Sequence, residues 1–83
     1  MSEIIDIQLE FYGRLQSQFD QQPQTQINTG DDVRSIYLAL CEQHQQPDES
    51  RVIKPIINDA FCEWHDQPQA GDTLGFFPPA SGG

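Results

Sequence analysis

Ile5, Ile7, Leu9 and Phe11 alternate with Asp6, Gln8 and Glu10 near the start of the chain. A period of two marks a strand with one buried face. A first strand is therefore predicted over about Glu3 to Tyr12, ended by Gly13 and Arg14. A glutamine-rich stretch follows from Gln16 to Gln26, interrupted by Pro23. It holds few apolar residues and reads as a loop leading into a short second strand, with Thr25 and Ile27 facing inwards. Asn28-Thr29-Gly30 is a turn signal. The period then changes. Val33, Ile36, Tyr37, Leu40, Cys41 and His44 recur at spacings of three and four, which is one apolar stripe of a helix. Asp31 or Asp32 can cap its N-terminus, Pro47-Asp48 stops it, and the helix is predicted over about Asp32 to Gln45.

The rest of the chain returns to short apolar runs. Ile56-Ile57 and Ala60-Phe61-Cys62-Glu63-Trp64 flank Asn58-Asp59, residue types that tolerate the left-handed backbone of a tight hairpin turn. A loop containing Pro68 and Gly71 leads to Thr73-Leu74-Gly75-Phe76-Phe77, a last strand ended by Pro78-Pro79. The predicted order is strand, strand, helix, strand, strand, strand. One helix of this length can cover one face of a mixed sheet of four to five strands, giving a two-layer α+β domain.

Size and charge narrow the function. With 83 residues the chain forms one domain around one core, with little room for an enclosed active-site cavity. It carries 4 basic and 13 acidic side chains and a formal net charge of −9. Such a surface repels phosphate backbones and anionic lipid, so neither nucleic acid nor membrane is an expected partner. A basic protein surface is the expected complement. Two cysteines are too few for a secreted disulfide scaffold. The start of the chain lacks the basic residues and apolar run of a signal peptide, and a cytoplasmic location is expected.

The chemistry is concentrated at the C-terminus. Phe76-Phe77 anchors the last strand, Pro78 and Pro79 hold the backbone extended, Ala80 and Ser81 are small, and Gly82 and Gly83 have no side chain. Residues 78–83 read as a thin flexible tail on a domain of residues 1–77. A tip without Cβ atoms can enter a channel too narrow for other residues. A bare Gly-Gly also occurs at frayed ends. Its position directly after a strand, a double proline and two small residues sets this one apart.

Two other constellations compete. Cys41-Glu-Gln-His44 and Cys62-Glu-Trp-His65 both read C-E-x-H and together have the ligand count of a tetrahedral zinc site. On a helix Cys41 and His44 share a face, whereas on a strand Cys62 and His65 point apart. Cys41 also lies on the apolar stripe and reads as a small buried hydrophobe. A cysteine nucleophile would need an oxyanion hole and an orienting residue, and none can be named. Arg14 and Lys54 read as partner contacts or as ordinary surface ion pairs.

The ending FFPPASGG resembles that of the small subunit of molybdopterin synthase (subunit 1 of the molybdopterin-converting factor), a member of the β-grasp, ubiquitin-like sulfur carriers. FYGRL after the first strand, the INDAF hairpin and AGDTLGFF before the tail resemble the same family. Ala70 and Pro68 depart from its pattern in the loop before the last strand. The resemblance implies a β-grasp fold and a carrier that is not catalytic by itself and holds no cofactor. An E1-like enzyme would use ATP to adenylate the Gly83 carboxylate. A sulfur donor of the cysteine desulfurase or rhodanese type would then convert it to a thiocarboxylate. The large synthase subunit would take the tail and pass the sulfur to the dithiolene of molybdopterin. Gly82 and Gly83 would be the reacting end. Phe11, Phe61, Phe77, Pro78, Pro79, Ala80 and Ser81 would contact the partner. The same tail would serve thiamine synthesis, transfer-RNA thiolation or covalent tagging of proteins. A plain interaction domain or a small zinc protein is the remaining reading. Phe76 and Phe77 are adjacent, so a strand sends them to opposite faces, and only one of them can point into the core beneath the helix.

Overall fold

The computed structural model describes residues 3–19 and 23–79. Five strands form one mixed sheet: β1 (Ile4–Phe11), β2 (Gln24–Asn28), β3 (Lys54–Ile57), β4 (Ala60–Phe61) and β5 (Thr73–Phe77), in the spatial order β2-β1-β5-β3-β4. Between them lie the short helix α1 (Leu15–Gln18) and the main helix α2 (Val33–Gln43). β1 and β5 pair in parallel at the centre, with Leu9 opposite Leu74 and Phe11 opposite Phe76. Both strands therefore end on the same side of the sheet. β2 is antiparallel to β1, and β3 is antiparallel to both β4 and β5. This is the β-grasp, ubiquitin-like fold expected from the sequence.

The period-two pattern of β1 works as predicted. Ile7 and Leu9 are buried against α2, while Gln8 and Glu10 are exposed. α2 buries Val33, Ile36, Tyr37, Leu40 and Cys41. Asp32 caps it, accepting a hydrogen bond from the Ser35 amide at 2.8 Å. That bond holds the Asp32 carboxyl below its usual range. The Val33 and Arg34 amides donate to the carbonyls of Asp66 and Trp64, so the loop after β4 takes up two more orphan donors of the first turn. At the other end the Gln46 amide reaches the Cys41 carbonyl and the Gln45 amide reaches that of Glu42. This is a Schellman closure, with Gln45 at φ +55 where glycine is usual. The helix thus stops two residues before the predicted end. The predicted hairpin is present: Asn58 and Asp59 both have positive φ, +51 and +68, as a two-residue type I′ turn requires.

The start of the glutamine-rich stretch is not loop. Leu15–Gln18 makes a single helical turn, and its purpose is burial: Leu15 is fully buried and Phe19 is 1 % exposed. Phe19 stacks on Phe11 at 5.0 Å and tilts against Tyr37. Arg14 forks onto the Glu49 carboxylate at 2.9 and 3.1 Å and also donates to Gln18, tying α1 to the segment after α2. Arg14 is thus engaged within the chain. Lys54, exposed on β3, makes no ion pair among the described residues.

Candidate tail root and docking face

Register places Phe76 and Phe77 on opposite faces of β5. Phe76 points to the helix side, is fully buried, and meets Phe11, Tyr37 and Trp64. Phe77 is 38 % exposed on the opposite, uncovered face. The strand parity argued from sequence is therefore obeyed. Cross-strand partners share a face, so Lys54, opposite Phe77, and Ile56, opposite both Gly75 and Phe61, belong to the uncovered face as well. Phe61 is 72 % exposed there, its ring 6.0 Å from that of Phe77. Tyr12 completes the group, stacked on Phe77 at 4.3 Å with the rings 3° from parallel.

The structure brings Phe61 and Phe77 together but sets Phe11 apart. Phe11 is half-buried on the covered face, between Phe19 and Phe76. Tyr12 stands where a third surface aromatic was expected. Strand parity carried that signal: Ile7, Leu9 and Phe11 share a face, so the next residue points the other way. Pro78 is half-buried, and Pro79 is exposed. Ala80, Ser81, Gly82 and Gly83 lie outside the described residues.

An exposed aromatic group of this kind is suited to a protein partner. Burying Phe61 alone contributes about 1–2 kcal/mol. Glu10 and Asp59 border the group, and both raise the pKa of the Tyr12 phenol, chiefly through the hydrogen bond its hydroxyl donates to Glu10. The Tyr12 ring is thus neutral across the physiological range and oriented by that bond.

The rival chemistry does not assemble. Among the described residues no group of three or more His, Cys, Asp or Glu side chains comes together to hold a metal ion. Cys41 is buried on α2 with its thiol toward the Pro47 carbonyl. Burial pushes its pKa up. Cys62 is half-buried and raised to about 11 by the same cause. Both are protonated at neutral pH, the wrong state for a nucleophile. His65 is exposed on the loop beyond β4. Among the described residues no helix is long and apolar enough to cross a membrane.

The family model described as ThiS family matches residues 9–83. Solved structures similar to the chain include the small archaeal modifier protein 1 of Haloferax volcanii (TM-score 0.69, 23 % identity, 92 % of this chain and 99 % of that one). Another is a complex of subunits 1 and 2 of the molybdopterin-converting factor of Helicobacter pylori (0.62, 19 %, 95 % and 100 %). A third is Urm1 of Trypanosoma brucei (0.65, 19 %, all of both chains). At these identities the likeness is one of fold. No curated protein matches the sequence closely enough to count as a relative.

Proposed function

The chain belongs to the ThiS family of ubiquitin-like sulfur carriers, and from that premise we propose that it carries sulfur on the terminal carboxylate of Gly83 for the dithiolene of molybdopterin. In this reading a carboxylate oxygen attacks the α-phosphorus of ATP in an E1-like enzyme, and pyrophosphate leaves. The adenylate turns a poor electrophile into a good one. The persulfide of a desulfurase or rhodanese-type donor then displaces AMP, which carries away one carboxylate oxygen, and a second thiol on the donor cleaves the resulting acyl disulfide, leaving the thiocarboxylate here and a disulfide there. The tail delivers the thiocarboxylate to the large synthase subunit in the cytoplasm. Catalytic groups belong to the partners, and this chain supplies reach and docking.

The observation that carries the reading is the continuity of the aromatic face with the tail root: Phe77 belongs to both. A partner that covers Phe61, Phe77 and Tyr12 receives the following segment, Pro78 to Gly83, at a fixed place. The Helicobacter neighbour, a complex of subunits 1 and 2, supports a large-subunit partner. A second reading, covalent tagging of proteins through an isopeptide bond, is favoured by the neighbour named a modifier protein and uses the same activated end. Thiamine synthesis and transfer-RNA thiolation would use it too.

Intact mass after incubation with an adenylating enzyme, ATP and a sulfur source decides. The expected gain equals one oxygen exchanged for sulfur, absent when Gly83 is deleted. Loss of this carrier's mass into a covalent adduct with another protein selects the modifier reading. No change with sulfur-carrier adenylating enzymes of each pathway overturns both.

A further inference from the structure

The turn after β1 lies across the end of β5, and each of the four residues from Gly75 to Pro78 meets it. A Cβ on Gly75 would stand 3.1 Å from Cε2 of Tyr12, so the Tyr12 ring lies over bare backbone. The Tyr12 amide donates to the Phe76 carbonyl at 3.3 Å. The Tyr12 ring stacks on Phe77. A Cβ on Gly13 would come 2.9 Å from Cγ of Pro78, a ring carbon held by its own closure. Gly13 also has φ +56. Two independent demands, a left-handed backbone and the absence of a Cβ, meet at this one exposed residue. Gly13 itself lies outside the core: its left-handed backbone opens the turn into α1, where its carbonyl accepts from the Gln16 amide at 3.2 Å, whereas the missing Cβ serves the approach to Pro78.

We infer that Tyr12-Gly13 is a clamp on the root of the tail, and that Gly13 is a positioning residue that sets the direction in which the chain leaves Pro78. This rests on the carrier reading for its consequence. The five residues after Pro78 span at most about 18 Å. A swing of about 15° at the root moves the end of such a segment by about 4–5 Å. A misplacement of about 1 Å at a reacting atom can already cost about a hundredfold in rate. Docking through Phe61 and Phe77 fixes the body of the carrier. A fixed root narrows the region that the segment after Pro78 has to search.

The experiment compares the full-length chain with Gly13→Ala, Pro78→Ala and the double variant, a cycle that isolates the contact between the two positions. Gly83 adenylation is followed by ATP–pyrophosphate exchange with the adenylating enzyme, and the tail by amide spectra. Gly13→Ala is expected to lower kcat by about tenfold or more with KM within about twofold, because Phe61, Phe77 and Tyr12 all keep their side chains. The same change should cost far less in the Pro78→Ala background, where the ring carbon it strikes is gone. In the spectra, amides of Ala80 to Gly83 should shift in Gly13→Ala and return in the double variant. A lower melting temperature with kcat and KM unchanged overturns the inference and leaves Gly13 a turn residue. So does a loss that Pro78→Ala fails to relieve. If the wild-type chain is not adenylated at all, the carrier reading fails separately. The spectra then decide alone, and tail amides that do not move in Gly13→Ala overturn the clamp.

Discussion

Phe76 and Phe77 are neighbours in the chain and opposites in the molecule. Phe76 is sealed beneath α2 among Phe11, Tyr37 and Trp64, while Phe77 lies on the bare face between Tyr12 and Phe61. One face of the sheet holds the fold together, and the other is left unfinished. A small domain has little apolar surface to spare, so leaving Phe61 72 % exposed is a cost that the proposed docking role accounts for. The largest expected effect tests this division. Phe76→Ala should destabilise the domain by about 3–5 kcal/mol, read as a fall in the denaturant midpoint. Phe77→Ala should cost about 1–2 kcal/mol in the same assay yet weaken binding to the proposed partner subunit by about 2 kcal/mol or more, as a central aromatic does. Equal losses of stability in the two variants would break the comparison.

Much of this division could be read from the sequence, and the rest was hidden for particular reasons. β1, α2, the Asn58-Asp59 hairpin and β5 each carry a local signal: a period, a cap or a turn residue whose meaning does not depend on distant contacts. The Phe76/Phe77 split followed from strand parity alone. α1 was hidden because Leu15 and Phe19, four residues apart, are only two apolar positions in a polar background. A single turn has no propensity of its own and forms because the core needs both side chains. Phe11 and Tyr12 are a subtler case. Both are aromatic, and it was the family resemblance that favoured Phe11 for the surface. The alternation of the strand before them puts Tyr12 on the bare face, and the register of β1 against β5 sets it beside Phe77. The reach of Gly13 to Pro78 has no sequence signal, because it depends on the ends of β1 and β5 meeting through a parallel pairing.

The two faces also differ in how they hold their tyrosine protons. Tyr37, under the covered face, accepts a hydrogen bond from the Glu49 amide, and burial pushes its phenol far above the ordinary 10.0. Tyr12, on the bare face, is raised chiefly by its hydrogen bond to Glu10. For Tyr37 the folded value lies above the unfolded one. Its contribution is therefore fully present below about pH 10 and is lost as pH rises through the folded value. An alkaline absorbance titration should resolve two steps. Tyr12 should ionise reversibly while the near-ultraviolet dichroism of the core persists. Tyr37 should ionise only together with its loss. A single step, with both tyrosines ionising in a native-like protein, would mean that the covered face is open to water.

The smallest effect separates stability from docking. Gln45 ends α2 at φ +55 and closes a Schellman motif that glycine fits without strain. A side chain at that backbone costs about 1 kcal/mol, part of which the greater freedom of glycine in the unfolded chain takes back. Gln45→Gly should therefore stabilise the domain by about 0.5 kcal/mol, raising its melting temperature by a few degrees. The position is at the end of the helix layer and touches neither Phe61 nor Phe77, so affinity for the partner should not change. A stabilised domain that binds as before would show that the bare face works independently of how firmly the covered face is held. If affinity rose with stability, the aromatic group would instead owe its arrangement to the helix beneath the sheet, and the two faces would have to be treated as one coupled unit.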